Sequence, residues 1–254
     1  MGIGLKIAGA TFTKTVGSIY LPVRTGLVGE YYFGTSSVES IKNRANAAKP
    51  LYAEGTITYN AYDAQFVGGA NGFDTANVPA TPSTGIQETT EFTLIFVGKL
   101  TAGGLAAVIS NFHSVTNGNG YNSSLLTSAT AGNNYVQHAT NTTAATNITR
   151  AYVDESIDSI VIARVNVLTA TSYKIRLAVY RAGVVVTSSE LTVATARQIR
   201  STLSYKIGLA NASLTGATIN ARAVAIYSVC LSDGDVSNAV SHLTTYFANR
   251  GITI

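Results

Sequence analysis

The feature that most constrains this chain is a set of apolar runs that recur with turn residues between them. They read EFTLIFVGKL (91–100), SIVIARVNV (159–167), YKIRLAVYRAGVVV (173–186), SYKIGLA (204–210) and ARAVAIYSVCL (221–231). β-Branched and aromatic residues fill them, and Gly, Asn or Ser bound them, which is a strand signature. In KIRLAVYR, Ile175, Leu177 and Val179 alternate with Lys174, Arg176, Ala178 and Tyr180. That period of two predicts an antiparallel strand with one buried and one exposed face. Arg181-Ala182-Gly183 then predicts a hairpin turn. Many short strands with regular turns predict an all-β sandwich or barrel.

One segment breaks the pattern. After LSDGD, the residues Val236, Ala239, Val240, Leu243 and Phe247 fall on a single helical stripe. Ser232 is an N-cap type, Asp233 and Asp235 suit the positive end of a helix, and Arg250-Gly251 are stop signals. The chain is therefore expected to close on an amphipathic helix that lies on a sheet.

Composition narrows the function classes. Hydrophobic residues make up 46% of 254 residues, enough for a real core, while charged residues are only 12%. The surface must be mostly Thr, Ser, Asn and Gly. The net charge of +4 arises in the first 50 residues, where Lys6, Lys14, Arg24, Lys42, Arg44 and Lys49 face only Glu30 and Glu39. These cations are too sparse for a nucleic-acid stripe, so no nucleic-acid partner is expected. The single cysteine, Cys230, excludes an internal disulfide and is expected to be a small core residue. The opening MGIGLKIAGATF lacks signal-peptide architecture, and no apolar run approaches the ~20 residues of a membrane span. Folding in a reducing cytoplasm is the expectation.

Catalytic patterns are sparse. Glu88 and Glu91 are three apart and would face opposite sides of a strand, and Asp154, Glu155 and Asp158 are expected in a solvent-facing loop. His113, His138 and His242 lack metal-ligand spacing. Asp233–Asn238 has alternating oxygens but no closing acidic ligand of a calcium loop. No enzyme and no metal site are expected. Two patches rich in Gly, Asn, Ser and Thr, TNGNGYNSS (116–124) and SATAGNNYVQHATNTTAATN (128–147), are predicted to be long loops. They carry Asn117, Asn119, Tyr121, Asn122, Asn133, Asn134, Tyr135 and Gln137. Planar rings and amide side chains are what sugar recognition uses, so these eight are the candidate glycan-binding residues; ordinary surface loops would look the same.

Several segments together resemble laminin-G-like, or concanavalin A-like, jelly-roll domains. They are GLVGEYYF (26–33), QFVGGANGFDT (65–75), EFTLIFVGKL, YKIGLANAS (205–213) and AIYSVCLSDGDVSNAVSHLTTYFANRGI (225–252). The last, a strand followed by L-S-D and a short helix, is the most specific. The chain departs from the family in having no tryptophan. The resemblance implies an antiparallel β-sandwich jelly roll with one C-terminal helix over residues 26–254, and calcium is a cofactor such domains commonly carry. Residues 1–25 fall outside it as an N-terminal attachment or oligomerisation segment. Jelly rolls with such an extension resemble bacteriophage virion proteins, namely tail or head fibres and capsid decoration proteins. The implied partners are other virion proteins, sister subunits and a bacterial surface glycan, and the implied location is the virion, assembled in the host cytoplasm. A free carbohydrate-binding module and a polysaccharide-degrading enzyme are the alternatives.

Overall fold

The computed structural model describes residues 19–69, 71–76, 84–101, 104–111, 124–130, 133–141, 146–199, 203–209 and 216–254. Two antiparallel sheets face one another, as the period-two runs require. The first holds β1 (Leu27–Tyr32), β3 (Thr58–Tyr59), β4 (Ala64–Val67), β6 (Phe92–Leu100), β11 (Ser159–Thr169), β12 (Ser172–Arg181), β13 (Val184–Val193) and β15 (Thr218–Tyr227). Its order is β13-β12-β11-β6-β15-β4-β3, with β1 also paired to β15. The second holds β2 (Tyr52–Glu54), β5 (Gly72–Asp74), β7 (Leu105–Ser110), β8 (Ser124–Thr130), β9 (Asn133–Asn141), β10 (Thr146–Tyr152) and β14 (Lys206–Ile207), in the order β10-β9-β8-β7-β14-β5-β2. The chain is thus an all-β jelly-roll sandwich.

The core between the sheets is built by alternation. From β12, Tyr173, Ile175, Leu177 and Val179 point inward to meet Phe66, Phe73, Phe92, Leu94 and Phe96. Lys174, Arg176, Ala178 and Tyr180 take the other face, each less than fully buried. The hairpin turn is Ala182-Gly183, both at positive φ (49° and 78°), the backbone that fits two right-twisted strands.

The predicted closing helix, α2 (Asp233–Ala248), starts on Ser232, whose Oγ accepts from the Asp235 N–H at 3.1 Å. Its stripe of Val236, Ala239, Val240, Leu243, Tyr246 and Phe247 is buried against the outer face of the first sheet. There it meets Tyr32, Ile95, Val97, Ile160, Ile162, Ala223, Ala225 and Tyr227. The strands β6 and β15 are therefore apolar on both faces, which is why FTLIFVGKL reads as a continuous run rather than an alternation. Gly98 marks where β6 bends: at φ 154°, a Cβ there would lie 2.2 Å from the Asn220 carbonyl oxygen, opposite a register shift in β15 at Arg222.

Four expectations change on the structure. The second polar patch is not a loop: most of it is β8, β9 and β10. Glu155 is not solvent-facing but 5% exposed, with neither carboxylate oxygen hydrogen-bonded among the described residues. Cys230 is partly exposed just past the end of β15 rather than sealed in the core. A one-turn helix, α1 (Ser37–Ser40), precedes the predicted closing helix. From the proposed attachment segment, residues 19–25 lie against their own sandwich and the rest lie outside the described residues. Leu21 is buried beside α2, its N–H donates to Glu30 Oε1 at 2.7 Å, and the Tyr227 hydroxyl donates to the Val23 carbonyl at 3.1 Å.

Candidate functional site

The helix covers only part of the outer face. Beyond its N-terminal end, β12 and β13 lie bare, and a groove of about 460 Å³ runs over them. Three cross-strand rows shape it. Arg164, Arg176 and Glu190 form one row, and Ile162, Ala178 and Ser188 the next. Ile160, Tyr180 and Val185 form the third. The middle row is small at Ala178 and Ser188, so a trough opens between Arg176 and Tyr180. Four residues of strand put those two about 13 Å apart. The register shift beside Tyr180 leaves Val186 unopposed and bends β13 at the mouth of the groove.

Charges gather at one end. Arg164 Nη1 lies 2.7 Å from Asp233 Oδ1 and donates to the Leu231 carbonyl at 2.9 Å. Asp233 thus reaches off the first turn of α2 to the sheet instead of serving only the helix dipole. Arg176 is held loosely, at 3.4 Å from Glu190 and 3.9 Å from Asp233. Lys174, next on the same face, donates to Glu190 Oε1 at 3.1 Å. The Arg164 hydrogen bond, and then its charge, hold Asp233 below the usual carboxylate range. The Lys174 hydrogen bond, and then its charge, do the same for Glu190. Burial raises the pKa of the half-buried Tyr180, which stays a phenol with no hydrogen bond among the described residues. A concave floor with a few convergent polar groups is the usual form of a small-ligand site. A second groove, about 550 Å³, opens where the described chain begins, between Tyr20, Val38, Ile41, Arg44 and Pro50. It is more apolar and has fewer convergent groups.

The eight sequence-predicted residues fall elsewhere. Asn117, Asn119, Tyr121 and Asn122 lie outside the described residues. Asn133, Asn134, Tyr135 and Gln137 are on β9, in the second sheet, so they are strand and not loop positions. Further along β9, His138 is fully buried against the Phe92 ring at 5.6 Å, and Thr140 bonds the Tyr173 hydroxyl at 2.9 Å. Among the acids, Glu88 pairs with Arg197 and accepts from Asn111 at 2.9 Å, and Glu91 accepts from the Val167 N–H at 2.9 Å. Asp158 grips Arg222 through two 2.8 Å contacts. No cluster of three metal-ligating side chains occurs among the described residues. Sequence reasoning placed Arg176 and Tyr180 on an exposed face but missed that Arg176 stands opposite Arg164 and within 3.9 Å of Asp233. The signal was there: Arg164 is the one charge inside SIVIARVNV, and a charge in a buried run needs a partner.

No protein-family model matches the chain, and no curated protein matches it. Solved structures do match. A structure of botulinum neurotoxin type C, which ties its passage into cells to two ganglioside molecules, aligns at TM-score 0.57 and 11% identity, over 86% of this chain and 51% of that one. The binding domain of Paraclostridial Mosquitocidal Protein 1 aligns at 0.57 and 10%, over 87% and 52%. The botulinum serotype D ligand-binding domain in complex with N-acetylneuraminic acid aligns at 0.56 and 8%, over 86% and 51%. At such identities the likeness is one of fold. The chain spans about half the length of these structures.

Proposed function

We propose that this chain is a non-catalytic sugar-binding β-sandwich whose ligand lies in the groove over β12 and β13. The observation that carries this is the trough itself: an unbonded phenol at one end, a loosely held guanidinium at the other, and a floor of small side chains, Ala178 and Ser188, between. A tyrosine supplies both a ring face and a hydroxyl, and Ser188 adds donor and acceptor capacity, which suits a hydroxyl-rich ligand. The fold is shared with toxin binding domains described with gangliosides and N-acetylneuraminic acid, which supports a sugar. Binding is preferred to hydrolysis because glycoside cleavage needs one carboxyl kept protonated. Glu190 and Asp233 are both held ionised by cations. The virion role and the oligomer implied by the sequence resemblance gain no support from these neighbours, and the proposal is confined to sugar binding.

The test is a glycan array probed with the full chain and with Tyr180→Ala. Binding to a defined set of glycans, weakened at least tenfold in the variant, is expected. Binding that survives Tyr180→Ala but is lost in Tyr135→Ala would move the site to β9. An array with no binder would end the sugar reading.

A further inference from the structure

We propose that the groove selects acidic sugars, with Arg176 as the residue that takes the sugar carboxylate. This rests on the sugar-binding proposal above and narrows it to a ligand class. Arg164 and Arg176 stand directly opposite each other on neighbouring strands. Like charges in that position repel. Asp233 relieves the repulsion from one side only, because it sits 2.7 Å from Arg164 and 3.9 Å from Arg176. Glu190 relieves it from the other side, but its closer contact is with Lys174, at 3.1 Å against 3.4 Å. Asp233 and Glu190 are thus each fastened first to a cation other than Arg176.

Arg176 is consequently the cation with the weakest pairing. Its side chain is also the most open of the three, 32% exposed against 22% for Lys174 and 11% for Arg164. A guanidinium fork matches a carboxylate through two parallel N–H···O bonds, which a lone ammonium cannot reproduce. An incoming carboxylate would supply the close pairing that Glu190 and Asp233, at 3.4 and 3.9 Å, do not give Arg176. The rest of the sugar would run along Ala178 and Ser188 toward Tyr180, which offers its ring and free hydroxyl about 13 Å away. That length favours a short acidic glycan over a small inorganic anion, which would fill only the Arg176 end.

The test uses the full chain and matched glycan pairs that differ in the carboxylate: oligogalacturonate and its carboxyl-reduced form, and sialyllactose and its carboxyl-reduced form. A sulfated galactan is the third arm. Affinities are measured by calorimetry for the wild type, Arg176→Lys and Arg176→Gln, with melting curves to establish that each variant is folded. The expected result is that the acidic member of at least one pair binds tenfold or more tightly than its neutral partner. That preference shrinks as salt rises from about 0.05 M to about 0.5 M, since exposed charges are screened. Arg176→Gln abolishes the preference, and Arg176→Lys, which keeps charge without the fork, retains only part of it. Equal binding of both members of every pair overturns the inference and leaves sugar binding standing. So does an acid preference that persists in Arg176→Gln, or a sulfated glycan preferred over every carboxylated one. A chain that binds no glycan in any arm overturns both proposals together.

Discussion

At the scale of single residues, two buried groups set opposed pH responses. His138 is sealed in the core, neither ring nitrogen makes a well-formed hydrogen bond among the described residues, and burial depresses its pKa from 6.5 to about 4. The folded chain keeps it neutral where the unfolded chain would be protonated. Its contribution to stability is therefore intact above pH 6.5 and lost as pH falls toward 4, by roughly 3 kcal/mol. Glu155 does the reverse. Burial raises its pKa from 4.5 to about 7, so its contribution is intact below pH 4.5 and lost as pH rises toward 7. Urea midpoints measured from pH 4 to 7.5 should separate the two. In Glu155→Gln stability should climb with pH from 4 to 6.5, and in His138→Phe it should decline from 4.5 to 7. Identical profiles in wild type and both variants would refute this account. Ala182 gives a simpler case. It occupies the left-handed region at φ 49°, where a Cβ is unfavourable and Asn is better tolerated. Ala182→Asn should relieve part of a left-handed penalty of about 1–2 kcal/mol, read as a higher melting midpoint. The turn was legible as Arg-Ala-Gly, but the sequence could not show that Glu155 would be drawn under the end of the sandwich. Five residues carrying three acids read as a solvated loop, and only the fold brings Phe96, Leu100 and Val179 around one of them.

Among the elements, α2 serves the groove as well as the core. Leu243 is 2% exposed on the sheet, and Leu243→Ala should cost about 3 kcal/mol in chemical unfolding. Losing the Ser232 cap in Ser232→Ala should cost about 1 kcal/mol. It should also loosen Asp233 from Arg164, so a weaker ligand affinity in that variant, at unchanged groove residues, is the expected outcome. The helix and β12 were readable because each carries a clean apolar period, β6, β11 and β15 because they are long β-branched and apolar runs, and β13 from the three valines that open it. The strands β7 to β10 were not. SLLTSAT, NNYVQHATN and TNITRAY put Thr, His and Asn where valine would announce a strand. Thr140 and His138 are nevertheless fully buried, and Thr149 is 4% exposed. Thr140 is satisfied by the Tyr173 hydroxyl, and Thr149 by Ser189 at 2.5 Å. Polar residues that bury with partners leave a strand looking like a loop in the sequence.

For the whole molecule, the first sheet is the shared wall of two apolar clusters, one between the sheets and one under the helix. Neither cluster can open without exposing the other face of β6 and β15, so unfolding should be a single cooperative transition by both heat and denaturant. The ion pair at the sandwich end belongs to the same unit. Arg222, lifted out by the register shift in β15, is 9% exposed and is held by Asp158 at 2.8 Å and by Asp63 at 3.4 Å. Asp158→Ala would remove the bidentate contact and leave Arg222 only the Asp63 carboxylate, at 3.4 Å, and should lower stability by about 2 kcal/mol in a urea titration.

The two-sided cover of β6 and β15 also has a kinetic reading. Amide protons on those strands have no local route to solvent and should exchange with deuterium only when the whole chain opens, whereas those of β13, at the uncovered margin, should exchange through small local openings. A mass map of deuterium uptake over hours would then show α2 as a shadow cast on the sheet beneath it, ending where the groove begins.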